Sequence, residues 1–223
     1  MKCADRAPRH LLFDFDGTLV ESAALHEACF RSTLSDFEPK LTSGFVYSRH
    51  KGMITRSVFA TLGIGSEARR DFLTAEKQLR YRNEVAAGRL QLMPGALDIL
   101  AWGKANSMRQ FIVTGGSGRA LRDAMEATRI GGFIEGCVTG DDVRRGKPEP
   151  DSYLECMRRF GLVVGECLAI EDSLAGARSA RSAGLRVVGV RDAEVTGECD
   201  MWFEDLPKLQ SELSRIVSLE LHG

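Results

Sequence analysis

Two aspartates stand two residues apart in Asp14-Phe15-Asp16-Gly17-Thr18, directly after the apolar run Leu11-Leu12-Phe13. A charge carried to the end of an apolar strand is costly unless something pairs with it. Two carboxylates there can hold Mg²⁺, a hard cation that favours oxygen ligands and shares them with phosphate. An aspartate can also attack phosphorus to form an aspartyl-phosphate, and a second acid beside it can give and recover the proton of a leaving group. Two blander readings compete. Asp-Gly is a hairpin signal, but Leu19 to Phe30 reads as loop and helix, not as a returning strand. A calcium loop of the D-x-D-x-D-G type needs an oxygen ligand at Thr18 and a glutamate where Leu25 stands.

The elements that must position these acids follow from hydrophobic periodicity. Residues 10–15 read as a strand. From Ser22 to about Leu92 the pattern is helical, with apolar residues spaced by three and four (Ala24, Leu25, Ala28, Cys29; Val58, Phe59, Leu62) and breaks at Gly44, Gly52, Gly63 and Gly65. After Met93-Pro94-Gly95 short apolar runs alternate with helical stretches: 111–114 and a helix from about Gly118, 167–170 and a helix from about Leu174, then 186–190. Such alternation predicts a parallel sheet covered on both faces. The expected fold is thus α/β: a Rossmann-like core of residues 1–21 and 93–223, with an all-helical module of residues 22–92 inserted after the first strand. Ligands of such sheets bind beyond the carboxyl ends of the strands. The chemistry-bearing residues fall there in three places: Asp14 with Asp16, Thr114 with Gly115 and Gly116, and Glu171 with Asp172.

The chain has 223 residues, 30 basic and 31 acidic side chains and a net charge of −1. That balance argues against nucleic acid or an anionic membrane surface as the main partner. The six cysteines are scattered without a C-x-x-C pair, which favours reduced thiols over a disulfide framework or zinc site. Neither a leader pattern nor an apolar run of membrane-spanning length is found, so the cytoplasm is the expected compartment.

Asp14-Phe15-Asp16-Gly17-Thr18, Thr114-Gly115, Lys147-Pro148 and Glu171-Asp172 resemble, in order, the four motifs of the haloacid dehalogenase-like superfamily. More narrowly, they are similar to its phosphatases and phosphomutases with a helical cap inserted after the first motif. The resemblance runs from about His10 to Leu209. It implies that Asp14 is the nucleophile and a Mg²⁺ ligand, and that Asp16 is the general acid/base with its backbone carbonyl on the metal. Thr114 and the Gly115 amide would hold the phosphoryl oxygens. Lys147 would offset charge on Asp14 and the phosphate, and Asp172, with Glu171 beside it, would complete the metal site. Physical chemistry agrees: four acids in one place repel one another unless a divalent ion and a lysine offset them, and phosphoryl transfer depends chiefly on alignment and charge stabilisation.

Weaker signals each carry a plainer alternative. Thr114-Gly115-Gly116-Ser117-Gly118-Arg119 lacks the P-loop pattern and reads as a phosphate-holding turn at a helix N-terminus; its Gly116 departs from the Ser or Asn common there in the family. Lys147 alone would be a surface lysine, and Asp151 reads as a helix N-cap. Within the insertion Arg49, Lys51 and Arg56 flank a glycine turn, where a solvated basic loop competes with a segment similar to the family's substrate loop. His26 is similar in place to a histidine of sugar-phosphate phosphatases and β-phosphoglucomutase, against a plain helix-surface histidine. Glu21-Ser22 and Leu92-Met93 are the expected hinge strands. The expected activity is a Mg²⁺-dependent phosphatase acting on a small phosphorylated metabolite, such as a sugar phosphate. A β-phosphoglucomutase-like phosphomutase and a catalytically silent metabolite-binding protein are the alternatives.

Overall fold

The computed structural model describes the backbone of residues 8–221 and the side chains of residues 8–215; Cys3 and the outermost residues of the expected core lie outside them. Strand β1 (His10–Phe13) is buried along its whole length. Its near-continuous apolar run is what a strand covered on both faces requires. β1 lies between β4 (Arg109–Val113) and β6 (Cys167–Glu171), in parallel register that sets Phe13 opposite Ile112 and Ile170. With β5 (Gly136–Val138), β7 (Arg186–Val190) and β8 (Met201–Phe203) the six-stranded order is β5-β4-β1-β6-β7-β8, and every pairing is parallel.

Period-two alternation divides the core between two faces. Leu11 and Phe13 join a cluster with α5 (Ala96–Ala105), α6 (Gly118–Thr128) and α9 (Leu206–Leu221). Leu12 faces the other way, into a cluster with α7 (Asp151–Phe160) and α8 (Leu174–Ser182). The short outer strands β5 and β8 escape the apolar-run reading, because each is three residues long and only partly buried. Asp151 does not cap α7: Pro150 stands at that position, and the Asp151 carboxylate accepts from Arg145 instead.

A two-stranded antiparallel neck, β2 (Val20–Glu21) against β3 (Gln91–Leu92), lies one residue before the expected hinges Glu21-Ser22 and Leu92-Met93. Between them the regular elements are all helical: α1 (Ala23–Phe37), α2 (Pro39–Thr42), a 3₁₀ turn at Tyr47–His50, α3 (Thr55–Thr61) and α4 (Glu67–Ala86). This insertion has its own apolar cluster, in which the Phe30 ring packs on Phe45, Tyr47 and Phe59 with centroids 5.1, 5.9 and 5.5 Å apart. No helix among the described residues is long and apolar enough to cross a membrane.

Phe59 is fully buried in the insertion's cluster, so Phe59→Ala is expected to cost about 3–5 kcal/mol. Hydrogen exchange should locate the loss: amides of α1, α3 and α4 lose protection while those of β4 and β6 keep theirs.

Candidate active site

The carboxyl end of β1 hands its acids to two separate environments. The Asp14 amide continues the sheet ladder by donating to the Ile170 carbonyl at 2.9 Å, which fixes the backbone just as the side chain leaves the core. At Gly17 the chain turns with φ +94°, and a Cβ there would lie 2.1 Å from Asp172 Oδ2. Only glycine satisfies both the turn and the close approach.

Asp14, Glu171 and Asp172 are all buried around Lys147, whose ammonium is itself enclosed. Lys147 Nζ donates to Asp14 Oδ1 at 2.6 Å, Glu171 Oε1 at 2.5 Å and the Val113 carbonyl at 2.9 Å. Tyr153 donates its hydroxyl to the same Glu171 oxygen at 2.6 Å. Burial alone would lower the Lys147 pKa, but Asp14 and Glu171 outweigh it and hold the ammonium above the ordinary lysine value. Asp14 is pushed well up by burial, with repulsion from Glu171, Asp172 and Asp16 adding and Lys147 opposing. Asp172 is pushed up to about 7, first by burial and then by Glu171, against the pull of Lys51, Lys147 and Arg191. The cluster is short of positive charge.

Oxygens of Asp14, Glu171 and Asp172 lie within 4.8 Å of one another. Asp14 Oδ2 and Asp172 Oδ1 are buried without a hydrogen-bond partner. Orphaned carboxylate oxygens, hard donors and excess negative charge suit a divalent cation such as Mg²⁺. Glu171 is the most committed of the three, since one oxygen serves Lys147 and Tyr153 and the other accepts from Ser173 Oγ at 3.3 Å.

Asp16 turns its carboxylate away from that trio. Its Oδ1 lies 2.9 Å from His26 Nε2 and accepts from Ser22 Oγ at 2.8 Å and the Tyr81 hydroxyl at 3.4 Å. Oδ2 accepts from Thr114 Oγ1 at 3.4 Å. On the far side of the ring, Lys77 Nζ lies 2.6 Å from His26 Nδ1. An ammonium can only donate, so Nδ1 accepts and the remaining ring proton sits on Nε2, facing Asp16. Burial and Lys77 lower the His26 pKa, and burial lowers Lys77 to about 8. Burial would raise Asp16, but His26, Ser22 and Lys77 together hold it well below the usual carboxylate range. Sequence reasoning missed Lys77, Tyr81, Tyr153 and the hydrogen bond from Ser22. A signal for the first two exists: Leu73, Lys77, Tyr81 and Val85 recur every four residues along the buried stripe of α4, and a lysine in such a stripe needs a partner.

Thr114 follows β4, and its hydroxyl accepts from the Gly116 amide at 2.9 Å. Ser117 caps α6 by accepting from the Ala120 amide. A Cβ on Gly115 would lie 2.6 Å from the Gly52 carbonyl and 3.0 Å from Met53, so the insertion's loop rests directly on this turn. The cavity enclosed between them is lined by Asp14, Asp16, His26 and residues 114–117, with Phe30, Tyr47 and Tyr81 among the opposing residues. The expected basic residues of the insertion divide. Lys51 reaches the acidic edge, 3.2 Å from Asp192 Oδ2 and 3.5 Å from Asp172 Oδ2. Arg49 is exposed and is not part of the cavity wall. Arg56 is drawn outward by Glu67 and Asp71, and its neighbour Thr55 lines the cavity in its place.

CbbY from Rhodobacter capsulatus is 35% identical over 189 residues, covering 80% of this chain and 83% of that protein. Hexitol phosphatase A from Escherichia coli K12 is 28% identical over 205 residues, covering 89% and 91%. Among solved structures, a mutant of CbbY from Rhodobacter sphaeroides in complex with xylulose-(1,5)bisphosphate shares the fold with a TM-score of 0.76 at 23% identity, covering 91% of this chain and 96% of that one. Residues 11–190 match the haloacid dehalogenase-like hydrolase family, and that span holds Asp14, Asp16, Thr114, Lys147, Glu171 and Asp172. The chain is a hydrolase of the haloacid dehalogenase-like family.

Proposed function

We propose that the chain is a Mg²⁺-dependent phosphatase that hydrolyses a small phosphorylated metabolite through an aspartyl-phosphate on Asp14. The observation that carries this reading is the Asp14 carboxylate, with one oxygen on the buried Lys147 and the other unpartnered at the cavity. Asp14 and Asp172, with Glu171 behind them and the Asp16 carbonyl, would hold Mg²⁺, which when bound supplies positive charge to the carboxylates and the phosphoryl oxygens. Asp14 attacks phosphorus; Lys147 and the bound cation would together favour its ionised form against burial and its acidic neighbours, and Lys147 offsets charge on the phosphoryl group. The Thr114 hydroxyl and the Gly115 amide orient that group. Asp16 takes a proton from the water that resolves the intermediate and gives that proton to the leaving oxygen of the next ester; its bonds to His26 and Ser22 hold it in place and favour its basic form for the water step. Residues 1–21 and 93–223 act as the catalytic core and residues 22–92 as a cap that excludes bulk water. The hexitol phosphatase likeness supports a phosphate monoester as substrate. The free thiols among the described residues support a reducing, cytoplasmic setting.

Asp14→Asn is expected to lower hydrolysis of para-nitrophenyl phosphate by at least about 10³-fold, the scale on which loss of a nucleophile acts. Mass spectrometry of acid-quenched enzyme should find a phosphate adduct on the parent and none on the variant. Retained activity in Asp14→Asn would sink the reading.

Metal binding has its own signature in stability. A carboxyl raised to about 7 in the folded state supports the fold while protonated, and that support is lost as pH rises through 7. Protons and Mg²⁺ therefore compete for Asp172. The rise in Tm on adding Mg²⁺ should be larger at pH 8 than at pH 6, and Asp172→Asn should abolish most of it. Metal-free Asp172→Asn should also unfold at a higher temperature than the metal-free parent at pH 8.

A further inference from the structure

Besides the reacting acids, the basic groups on the cavity wall among the described residues are His26 and Lys77. Their charge is already balanced. Lys77 donates to His26 Nδ1, the neutral ring passes the contact to Asp16, and one ammonium thereby answers one carboxylate. The ammonium is further committed to two rings, 4.7 Å from the centroid of Phe30 and 5.1 Å from that of Tyr81. What the insertion otherwise presents to the cavity is aromatic, apolar or neutral and polar: Tyr47, Met53, Thr55 and Gln78. Burial holds the Tyr47 phenol in its neutral form. The other basic side chains of the insertion's loop are engaged elsewhere, Lys51 with Asp172 and Asp192, Arg56 with Glu67 and Asp71, and Arg49 in solvent.

We propose that this cavity selects by charge: it admits phosphate monoesters of uncharged alcohols, sugars or polyols, and rejects esters that carry a second phosphate or a carboxylate. This rests on the phosphatase reading above and narrows its substrate. A second anion placed against Phe30, Tyr47 and Met53 would be stripped of water without gaining a cation. Hydroxyls would instead meet Thr55, Gln78 and the Tyr47 phenol, while C–H faces lie on the rings. The discrimination is mainly negative, a penalty on the wrong ligand. It sets this chain apart from the CbbY form that holds a bisphosphate. It also weighs against a phosphomutase, because transfer of the phosphoryl group to a hydroxyl of a sugar phosphate passes through a bisphosphate.

The test uses the full chain with Mg²⁺ and two pairs that each differ by one anionic group: fructose 1-phosphate against fructose 1,6-bisphosphate, and glycerol 3-phosphate against 3-phosphoglycerate. Each compound is measured as a competitor of para-nitrophenyl phosphate hydrolysis and as a substrate. The member of each pair without the second anionic group should compete at lower concentration, and wherever a pair is turned over its kcat/KM should be higher by at least about 100-fold, equivalent to about 2.7 kcal/mol. Gln78→Arg, which sets a guanidinium on the half-buried rim of the cavity, should narrow the ratio by about tenfold. If either doubly anionic member competes as well as its partner, or if Gln78→Arg leaves the ratio unchanged, charge selection is overturned while the phosphatase reading stands. If para-nitrophenyl phosphate and all four esters stay intact, the phosphatase reading falls and takes charge selection with it.

Discussion

Lys147 carries one positive charge into a space that holds three carboxylates, Asp14, Glu171 and Asp172. Little else in the fold can be understood without that imbalance. A buried lysine is stable here because two carboxylates and the Val113 carbonyl accept from it, and those acceptors come from three adjacent strand ends, β1, β4 and β6. The central position of β1 is therefore an electrostatic requirement as much as a packing one. What the lysine leaves unanswered, the orphaned oxygens of Asp14 and Asp172, is where a divalent cation is called for.

The two aspartates of the first motif are neighbours in sequence but belong to different charge systems. Asp14 is answered from inside the sheet. Asp16 is answered mainly from the insertion, by His26 on α1 and by Lys77 and Tyr81 on α4. Its ionisation thus depends directly on how the helices sit, whereas the charges that act on Asp14 lie in the core. The Gly17 turn separates the two side chains, and it is the point where a strand-end acid pair becomes a division of labour. Tyr81 also shows why packing and polarity cannot be assigned to separate regions here: its ring stacks on His26 with centroids 4.4 Å apart while its hydroxyl reaches Asp16.

Much of this was readable from the chain because local signals and chemistry coincide at strand ends. Leu11-Leu12-Phe13 and 186–190 are long and apolar enough to be read as buried strands, and Glu171-Asp172 follows another such run. Lys147 was legible only through the order of motifs, since no local pattern distinguishes a lysine bound for the core. The outer strands β5 and β8 were not legible, because three half-buried residues carry no period. Tyr153 was missed for a different reason: it looks like an ordinary member of an amphipathic helix, and only tertiary contact reveals that its polar end is used. Arg49 and Arg56 illustrate the converse. Their proximity in sequence to a glycine turn made them look like anion binders, yet solvent and the carboxylates of α4 claim them first.

The sheet order has a consequence for the birth of the molecule. β1 is made well before either of its two neighbours, residues 109–113 and 167–171. Until the second of these has been made, a short and mostly apolar strand stands with at least one edge unpaired, the condition under which a nascent chain is most open to wrong partners. The helical insertion, made in the interval, can close its own cluster from residues 30–73 without waiting for the rest. Asp14 is thus made long before Lys147, Glu171 and Asp172, the residues that enclose it.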